Sequence, residues 1–350
     1  MSSDTSAAPA PSRTHGVPLK KPSLIDSVVR AWSTELQILV GIVVLALAFA
    51  WMFPDSFSTS GTMMNMARVA GILLVVSIGQ SFVLIVGGFD ISVGATMGLV
   101  SIVVSLLLVG GTPIGAALPI GLAVGAIVGF VNGIGVAFLR ITPFVMTLGM
   151  LTFAKGLADE LGDGGTITRL PSALAYFGRR NWGVLPSSGC IAAIVLAVAW
   201  FVLQRCRAGL YLFAIGGSRE TTRVAGVRVA AYEIIAYTIC GLLAGLGGIM
   251  LTSRVSVGQG SLGQGYELLS IATAVIGGVA IGGGVGRLTG VLLGVLLITI
   301  LTTGLDIAGV NPFIQQMITG IVLIIAVVVS QAPRLSLRGI ASLLRNPAHR

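Results

Sequence analysis

The sequence predicts an all-α, polytopic integral membrane protein, a compact glycine-rich bundle of about ten transmembrane helices. Three observations support this fold class. Hydrophobic residues make up 55% of the 350 residues and charged residues only 9%, whereas soluble domains carry about 25% charged residues. The mean hydropathy is +1.00, which implies more apolar surface than a water-soluble fold can bury. Long apolar stretches also recur along the chain between short polar or glycine-rich connectors.

Ten stretches approach the roughly 20 mostly apolar residues that a membrane helix needs. They lie at 36–53, 66–86, 93–109, 115–138, 143–160, 189–204, 231–252, 268–284, 289–305 and 313–330. The stretches 93–109 and 268–284 are short and rich in glycine, so broken helices are an alternative there. The first stretch follows a long polar lead, which favours an uncleaved helix over a signal peptide. The chain thus divides into an N-terminal tail over 1–35, a transmembrane domain over 36–330 and a basic C-terminal tail over 331–350.

The basic residues predict the orientation. With both termini in the cytoplasm, fifteen of the 21 Lys and Arg residues fall on cytoplasmic segments and six on the opposite side. Lys and Arg accumulate on cytoplasmic loops, so we expect an even number of spans. Their scatter between apolar blocks also argues against nucleic-acid binding as the reason for the net charge of +9. Two connectors are long, an outer one at 160–188 and an inner one at 205–230.

Glycines recur at every fourth residue in three of the predicted helices. They are Gly121, Gly125, Gly129 and Gly133, Gly241 with Gly245, and Gly290 with Gly294. This spacing places the glycines of each run on one helix face. Lipid gives no hydrophobic drive between helices, so such faces are expected to let helix backbones approach closely. Direct contact with a solute is the alternative interpretation.

Uncharged polar side chains also lie inside the predicted spans. The candidates for a translocation path of a hydroxyl-rich solute are Gln80, Asn132, Thr147 and Gln315, and Ser77 and Thr299 have the same character. Hydrogen bonding between helices explains them equally well. Each such bond is worth on the order of 0.6 kcal/mol, whereas polar groups inside membranes are often functional.

A glycine-rich connector after the second predicted span contains one carboxylate. We interpret its residues Gly87, Gly88, Asp90, Ser92 and Gly94 as a structural loop. Asp90 is expected to cap the next helix, because helix N-termini favour negative charge. Transport of a proton or sodium ion by this carboxylate is the alternative. The pattern recurs 190 residues later as Gly277-Gly278-x-x-Ile281-x-x-Gly284, either by chance or through duplicated halves.

Nothing in the sequence indicates catalysis. No stretch fits the phosphate-binding pattern G-x-x-x-x-G-K-[ST]. Cys190, Cys206 and Cys240 are odd in number and far apart, so neither a disulfide framework nor a zinc site is indicated. Both histidines, His15 and His349, lie in the polar tails. We therefore expect a protein that is not an enzyme and that binds no metal or cofactor itself.

The inner connector carries a more specific pattern. Its matching residues are Gly209, Ala214, Ile215, Gly216, Arg223 and Gly226, with Ser218 in place of a usual Asn. Further blocks match at Gly79–Gly94, Thr142–Met150, Gly263–Leu268 and Asn311–Gln316. Through the order and spacing of these blocks, the chain resembles the permease subunits of monosaccharide ABC importers of the ribose, xylose and galactose type. The resemblance extends over about residues 60–330.

This resemblance implies a multi-pass protein of the bacterial inner membrane that forms the translocation path for a small sugar or polyol. A periplasmic solute-binding protein would deliver the solute. We expect the outer connector 160–188 to help receive this protein through charges such as Arg179 and Arg180. A separate ABC ATPase subunit would bind ATP-Mg, and a second permease copy, identical or related, would complete the transporter in the membrane lipid. The alternative for the whole chain is an ion-coupled secondary transporter of a small polar solute.

The resemblance also assigns the inner connector to ATPase coupling. The residues so assigned are Gly209, Ala214, Ile215, Gly216, Gly217, Ser218, Glu220, Arg223 and Gly226. Ser218 is expected to cap a short helix that has the acidic Glu220 in its first turn. An ordinary basic loop held by lipid headgroups is the alternative.

Overall fold

The computed structural model describes residues 24–331, with side chains from Glu35 to Val322 and at Ile324. The predicted tails lie outside the described residues at 1–23 and 332–350, whereas residues 24–35 of the N-terminal tail are described and helical. The chain divides into two units, residues 1–33 and residues 34–350. Of the first unit, only the helical residues from Leu24 are described, and the packing discussed below belongs to the second unit.

The described chain is mostly helical, which confirms the predicted class. Its helices are α1 Leu24–Met52, α2 Pro54–Phe57, α3 Ser60–Ile85, α4 Val93–Val109, α5 Ile114–Ala137, α6 Pro143–Leu161, α7 Ser187–Arg205, α8 Arg207–Gly217, α9 Arg219–Val224, α10 Val229–Val255, α11 Tyr266–Ile276, α12 Leu288–Ile307 and α13 Pro312–Gln331. A 3-10 helix covers Ser172–Phe177. The two antiparallel strand pairs are β1 Thr166–Ile167 with β4 Gly258–Gln259 and β2 Asn181–Trp182 with β3 Leu185–Pro186.

Helices lie at all ten predicted positions, but they are not all span-length. Within the described residues, six helices are long and apolar enough to cross a bilayer: α1 from Glu35, α3, α5, α7, α10 and α12. The 17 residues of α4 and the 11 of α11 fall short. The prediction of 268–284 as one span is wrong, because α11 ends at Ile276. Gly278 then turns the chain at a φ of +86°, close to the +84° of Gly87. The apolar part of α1 that can span a membrane is Glu35–Met52, which agrees within one residue with the predicted first span, although the helix itself starts at Leu24.

The central helix of the bundle is α3. All of its residues from Ala70 to Ile85 are buried. Near its first end Arg68 donates a hydrogen bond to Asn181 at 2.8 Å, and at its other end Ile85 contacts Gly216 of α8. These two ends define opposite faces of the molecule, which we call the Trp182 face and the Gly216 face.

Backbone contact joins α5 to α10, and the glycine faces make it possible. A Cβ atom on Gly129 would overlap the carbonyl of Tyr237, and one on Gly241 would overlap the carbonyl of Gly125. The third glycine run works in the same way, because a Cβ on Gly290 would overlap the carbonyl of Gly277 at the end of α11. The interpretation of these runs as packing faces is confirmed.

The short helices α4 and α11 both begin inside the bundle. A Cβ on Gly94, in the first turn of α4, would overlap the carboxylate of Glu267 in the first turn of α11. A rise of 1.5 Å per residue places Gly94 about 22 Å from the end of α4 at Val109. Two interrupted helices therefore meet with their N-termini at depth, an arrangement that many secondary transporters use around their binding sites.

Candidate functional site

The inner connector folds into the helices α8 and α9 on the Gly216 face. Ser218 is the N-cap of α9, and its hydroxyl accepts a hydrogen bond from the Thr221 amide at 3.2 Å. Glu220 lies in the first turn. Both features were predicted and are confirmed. The hydroxyl of the buried Thr222 donates to the Ser218 carbonyl at 2.8 Å, which ties the helix to its own cap.

The nine residues assigned to coupling divide into two groups by exposure. Gly209 and Ile215 are buried and Gly216 is partly buried. The exposed members are Ala214, Gly217, Ser218, Glu220, Arg223 and Gly226. The connector therefore has one side fixed to the bundle and one side free to meet a partner.

Three backbone segments meet at the fixed side, and we call their meeting point the glycine junction. It consists of Ile85–Gly87 at the end of α3, Gly216–Gly217 at the end of α8, and Gly282–Gly284 in the connection from α11 to α12. The Gly284 amide donates to the Ile85 carbonyl at 2.9 Å. A Cβ on Gly216 would overlap both the Ile85 carbonyl and the Gly284 amide. The connector is thus packed backbone to backbone against two membrane elements.

An ion pair adds a third attachment. Arg219 of α9 lies 2.8 Å from Glu233 of α10, whose side chain is only 5% exposed. Glu220 and Arg223 form a second pair at 2.8 Å, but both side chains are about two-thirds exposed, so this pair contributes little to stability. The pair formed with the buried Glu233 links α9 to α10, whereas both members of the second pair remain accessible.

A cavity of about 780 Å³ opens between α9 and the turn from α5 to α6. Its charged lining consists of Arg140, Arg219, Arg223, Arg228, Glu220 and Glu233. Within the described side chains, Arg140 and Arg228 form no ion pair. The cavity therefore presents positive charge beside the exposed side of α9.

The loop around Asp90 is a buried polar network. The Asp90 carboxylate accepts hydrogen bonds from the Ser92 amide at 2.8 Å, from the Ser92 hydroxyl at 2.6 Å and from the Asn132 amide group at 3.1 Å. The Gln80 amide, oriented so that both of its atoms are satisfied, bonds the Asp90 backbone at 3.0 and 3.1 Å.

Contrary to the sequence prediction, Asp90 does not cap α4 directly. Ser92, not Asp90, is the N-cap of α4, and no side chain bonds the first amides of that helix. The sequence showed no buried partner for Asp90 because that partner, Asn132, lies on α5. The loop is held by its links to α3 and α5 and not by the helix that follows it.

The four predicted path residues lie in three separate places. Gln80 and Asn132 are buried in the Asp90 network. The Thr147 hydroxyl donates to the Pro143 carbonyl at 2.8 Å within α6. Gln315 donates to Asp306 at 2.8 Å near the start of α13. The structure therefore brings Gln80 and Asn132 together but not Thr147 or Gln315, and a role for the four in solute passage stays a prediction.

Replacing Asn132 with alanine should destabilise the protein. The Asn132 amide donates to Asp90 and, at 2.9 Å, to the Ser92 hydroxyl, and an unpaired buried polar group costs about 1–3 kcal/mol. The thermal unfolding midpoint in detergent should therefore fall clearly. Asn65→Ala is the matched control, because Asn65 has only an exposed bond with Arg254. Equal midpoints for the two variants would contradict the network's structural role.

The repeated glycine pattern corresponds to the same type of helix-ending turn at two places in the chain. The amide of Gly88 bonds the Val83 carbonyl at 3.0 Å, and that of Val279 bonds the Ala274 carbonyl at 3.0 Å. Both α3 and α11 thus end in a six-residue hydrogen-bonded turn closed by a left-handed glycine, Gly87 or Gly278. The structure pairs Gly87 with Gly278, one residue beyond the Gly277 with which the sequence pattern pairs it. The turn after α3 is part of the glycine junction, and the turn after α11 lies shortly before its Gly282–Gly284 segment.

The outer connector 160–188 is folded onto the Trp182 face. Its 3-10 helix packs on α10, where the Ser253 hydroxyl donates to the Leu174 carbonyl at 2.6 Å. Arg180 donates to the Tyr176 hydroxyl at 2.7 Å and its guanidinium lies 4.6 Å from the centre of that ring. Arg179 and the hairpin residue Val184 remain exposed. Of the two predicted contact residues, only Arg180 is therefore held in place by the loop itself.

Comparison with known proteins identifies the kind of molecule. Residues 62–327 match the family described as branched-chain amino acid transport system / permease component. The ribose import permease of Escherichia coli is 34% identical over 307 residues, which cover 86% of this chain and 94% of that protein. The ribose import permease of Bacillus subtilis is 33% identical over 294 residues, covering 83% and 91%. The galactose/methyl galactoside import permease of Salmonella typhimurium is 31% identical over 315 residues, covering 85% and 94%.

No solved structure matches the chain. The matches nevertheless agree on a transport role and extend over nearly all of the described residues. They confirm the predicted permease function and favour it over an ion-coupled transporter or an enzyme. This chain belongs to the family of branched-chain amino acid transport system permease components and is a multi-pass permease component of an importer.

Proposed function

We propose that this chain forms the translocation path of an ATP-driven importer for a small sugar or polyol. A periplasmic binding protein delivers the solute, and a separate ABC ATPase subunit binds ATP-Mg and docks on α8 and α9. The names of the relatives, which are ribose and galactose import permeases, support sugar as the substrate class. A second permease copy completes the path, and a closed pair would match a two-fold ATPase dimer.

The glycine junction carries the coupling part of the proposal. Force applied by a partner to the exposed side of α9 passes to α10 through the Arg219–Glu233 pair. The same displacement passes through Gly216 to the end of α3 and to the α11–α12 connection. Because packed backbones have no flexible side chain between them, the movement is not absorbed locally. A movement of the coupling residues is therefore expected to displace three membrane elements, namely α3, α10 and the α11–α12 connection.

The basic cavity beside α9 extends the docking surface. Arg140 and Arg228 in its wall form no ion pair among the described residues, so an ATPase surface with acidic groups at this position would be complementary. Such charges mainly speed encounter and fix register. Lipid headgroups could pair with the same arginines, but such pairing would not require the rigid attachment of α9.

From the positive-inside rule we propose that the Gly216 face and both termini lie in the cytoplasm, with the chain in a bacterial inner membrane. We propose ten membrane segments, with α4 and α11 as the membrane parts of two interrupted ones. In cells, a membrane-impermeant maleimide should label Val184→Cys without permeabilisation and Glu220→Cys only after it. Cys190 and Cys206 are replaced by serine in both variants. Labelling of Glu220→Cys from outside intact cells would contradict this orientation.

Docking is tested by disulfide cross-linking with the purified ATPase. Glu220→Cys should cross-link to cysteines introduced on the ATPase surface, because Glu220 is exposed on α9. Val184→Cys is the control, since this residue is 83% exposed but lies on the opposite face. Equal cross-linking from both positions, or from neither, would contradict docking on α9.

Reversing the charge of Arg179 should weaken productive contact with the binding protein. Its side chain is exposed on the Trp182 face, whereas Arg180 is held by Tyr176. Rim charges mainly change the association rate, so Arg179→Glu should raise the binding-protein concentration needed for half-maximal uptake several-fold at low salt. Arg179→Gln should give a smaller increase. An unchanged concentration at low salt would exclude Arg179 from this contact.

A further inference from the structure

A polar recess of about 120 Å³ lies where α4, α6 and the connection before α11 meet. Its polar walls are formed by Lys155 of α6, Ser261 and Gln264 of the connection, Glu267 of α11, and the backbone at Gly94 and Ala95. None of the four polar side chains was a predicted path residue. The recess adjoins the point where the two interrupted helices begin.

The recess lies well inside the thickness of the bundle. Gly94 is about 22 Å from the end of α4 at Val109. Lys155 is about 18 Å along α6 from its start at Pro143, on the Gly216 face. Because the hydrocarbon core of a bilayer is about 30 Å thick, both distances place the recess near the middle of the membrane.

The polar groups around the recess are exposed at a depth where they are not expected to face lipid. Lys155, Ser261 and Gln264 are all exposed in the single chain, and so are Thr152 and Asp159 on the same helix. Ionisable side chains at this depth almost always face a protein interior or a water-filled cavity, because contact with hydrocarbon is costly. This side of α6 therefore faces water or a second permease copy, not lipid.

Close packing fixes the position of the recess. The Glu267 carboxylate accepts hydrogen bonds from the Gly265 amide at 3.0 and 3.1 Å. Gly265 adopts a φ of +93°, a conformation that other residues rarely take. Any side chain at Gly94 would overlap the Glu267 carboxylate. The acidic wall of the recess is consequently set by backbone geometry.

We propose that this recess is a hydroxyl-binding station on the translocation path for a neutral polyhydroxylated solute, an inference that rests on the proposed function. The Lys155 ammonium donates hydrogen bonds, the Glu267 carboxylate accepts them, and Ser261 and Gln264 do both, as sugar hydroxyls do. Lys155 and Glu267 are the charged residues of the lining and have opposite signs, so the lining itself carries no net charge, which suits a neutral solute. The volume corresponds to about four water molecules at about 30 Å³ each. The recess therefore holds part of a sugar, and such weak contact permits release.

Thiol accessibility tests the location of the recess on an aqueous path. In the reconstituted complex with Cys190 and Cys206 replaced by serine, Gln264→Cys is treated with a charged methanethiosulfonate reagent, with and without ATP. It should react faster than Val198→Cys, which is 58% exposed on the apolar surface of α7. Ribose or galactose should slow its reaction. Reaction no faster than that of Val198→Cys in either state, or no protection by either sugar, would overturn the proposal.

Uptake tests the contribution of hydrogen bonding. Gln264→Leu should lower ATP-driven uptake of radiolabelled ribose or galactose by roughly two- to tenfold, the equivalent of one net hydrogen bond. The ATPase activity of the complex should be unchanged. Gln316→Leu, an equal change at an exposed position of α13, should have no effect. Normal uptake by Gln264→Leu overturns the station, whereas absence of ATP-driven uptake in the unaltered chain overturns the proposed function instead.

Discussion

Replacing Gly216 with alanine is expected to lower ATP-driven uptake at least about fivefold while the protein still inserts into the membrane. The added methyl group would overlap the Ile85 carbonyl and the Gly284 amide. Neither backbone can yield without moving α3 or the α11–α12 connection, so α8 itself must shift. Overpacking of this kind costs about 1–3 kcal/mol, and a coupling change of that size corresponds to roughly 5–150-fold.

Gly115→Ala is the matched control for this substitution. Gly115 is a helical glycine of α5 outside the coupling residues, and a Cβ there would meet no atom within 4 Å. The measurements are sugar uptake into proteoliposomes, ATPase activity and the amount of folded protein recovered. We predict loss of uptake for Gly216→Ala only, with both variants inserted into the membrane. Normal uptake by Gly216→Ala would show that the glycine junction does not transmit force.

Gly129→Val should prevent formation of a stable bundle. Gly129 lies where α5 meets α10, and a Cβ there would overlap the Tyr237 carbonyl and come within 3.0 Å of the Gly241 amide. Both contacts are backbone, so α5 and α10 must separate along their whole interface. Membrane helices depend on such close packing because lipid supplies no hydrophobic drive. We expect a destabilisation beyond the usual ~1–3 kcal/mol of overpacked cores.

The same change at Gly115 separates packing from helix propensity. Gly115 is in α5 as well, but a Cβ there would meet no atom within 4 Å. Thermal unfolding and size-exclusion profiles in detergent should show an aggregated or strongly destabilised Gly129→Val and a normal Gly115→Val. Comparable stability of the two variants would mean that the glycine face of α5 does not hold the bundle together.

The elements that depend on local sequence were predictable. The cap at Ser218, the acidic first turn at Glu220 and the packing role of the glycine runs follow from nearest neighbours and helical periodicity. The interruption of 268–284 was predicted only as an alternative to a continuous span, because apolar composition continues past Ile276. Its signal was present in the paired glycines Gly277 and Gly278, which the sequence could not separate from chance.

Contacts between distant segments were not predictable. Asp90 and Asn132 are 42 residues apart and meet only because α5 packs beside the loop. The third segment of the glycine junction, Gly282–Gly284, is likewise distant in sequence from α8. Lys155 is one of the six basic residues that the charge count assigns to the outer side. Its place in the middle of the bundle could not be predicted, because it depends on where α6 begins and on the return of the chain before α11.

The most direct test of the account is solute uptake by the reconstituted transporter. Proteoliposomes would contain this chain with its ABC ATPase, with the binding protein and radiolabelled ribose or galactose on the outside and ATP enclosed. We predict accumulation of sugar only when ATP, ATPase and binding protein are all present, and no accumulation with an imposed proton or sodium gradient alone. Accumulation driven by either ion gradient without ATP would contradict the assignment of this chain as a permease moved by a separate ATPase.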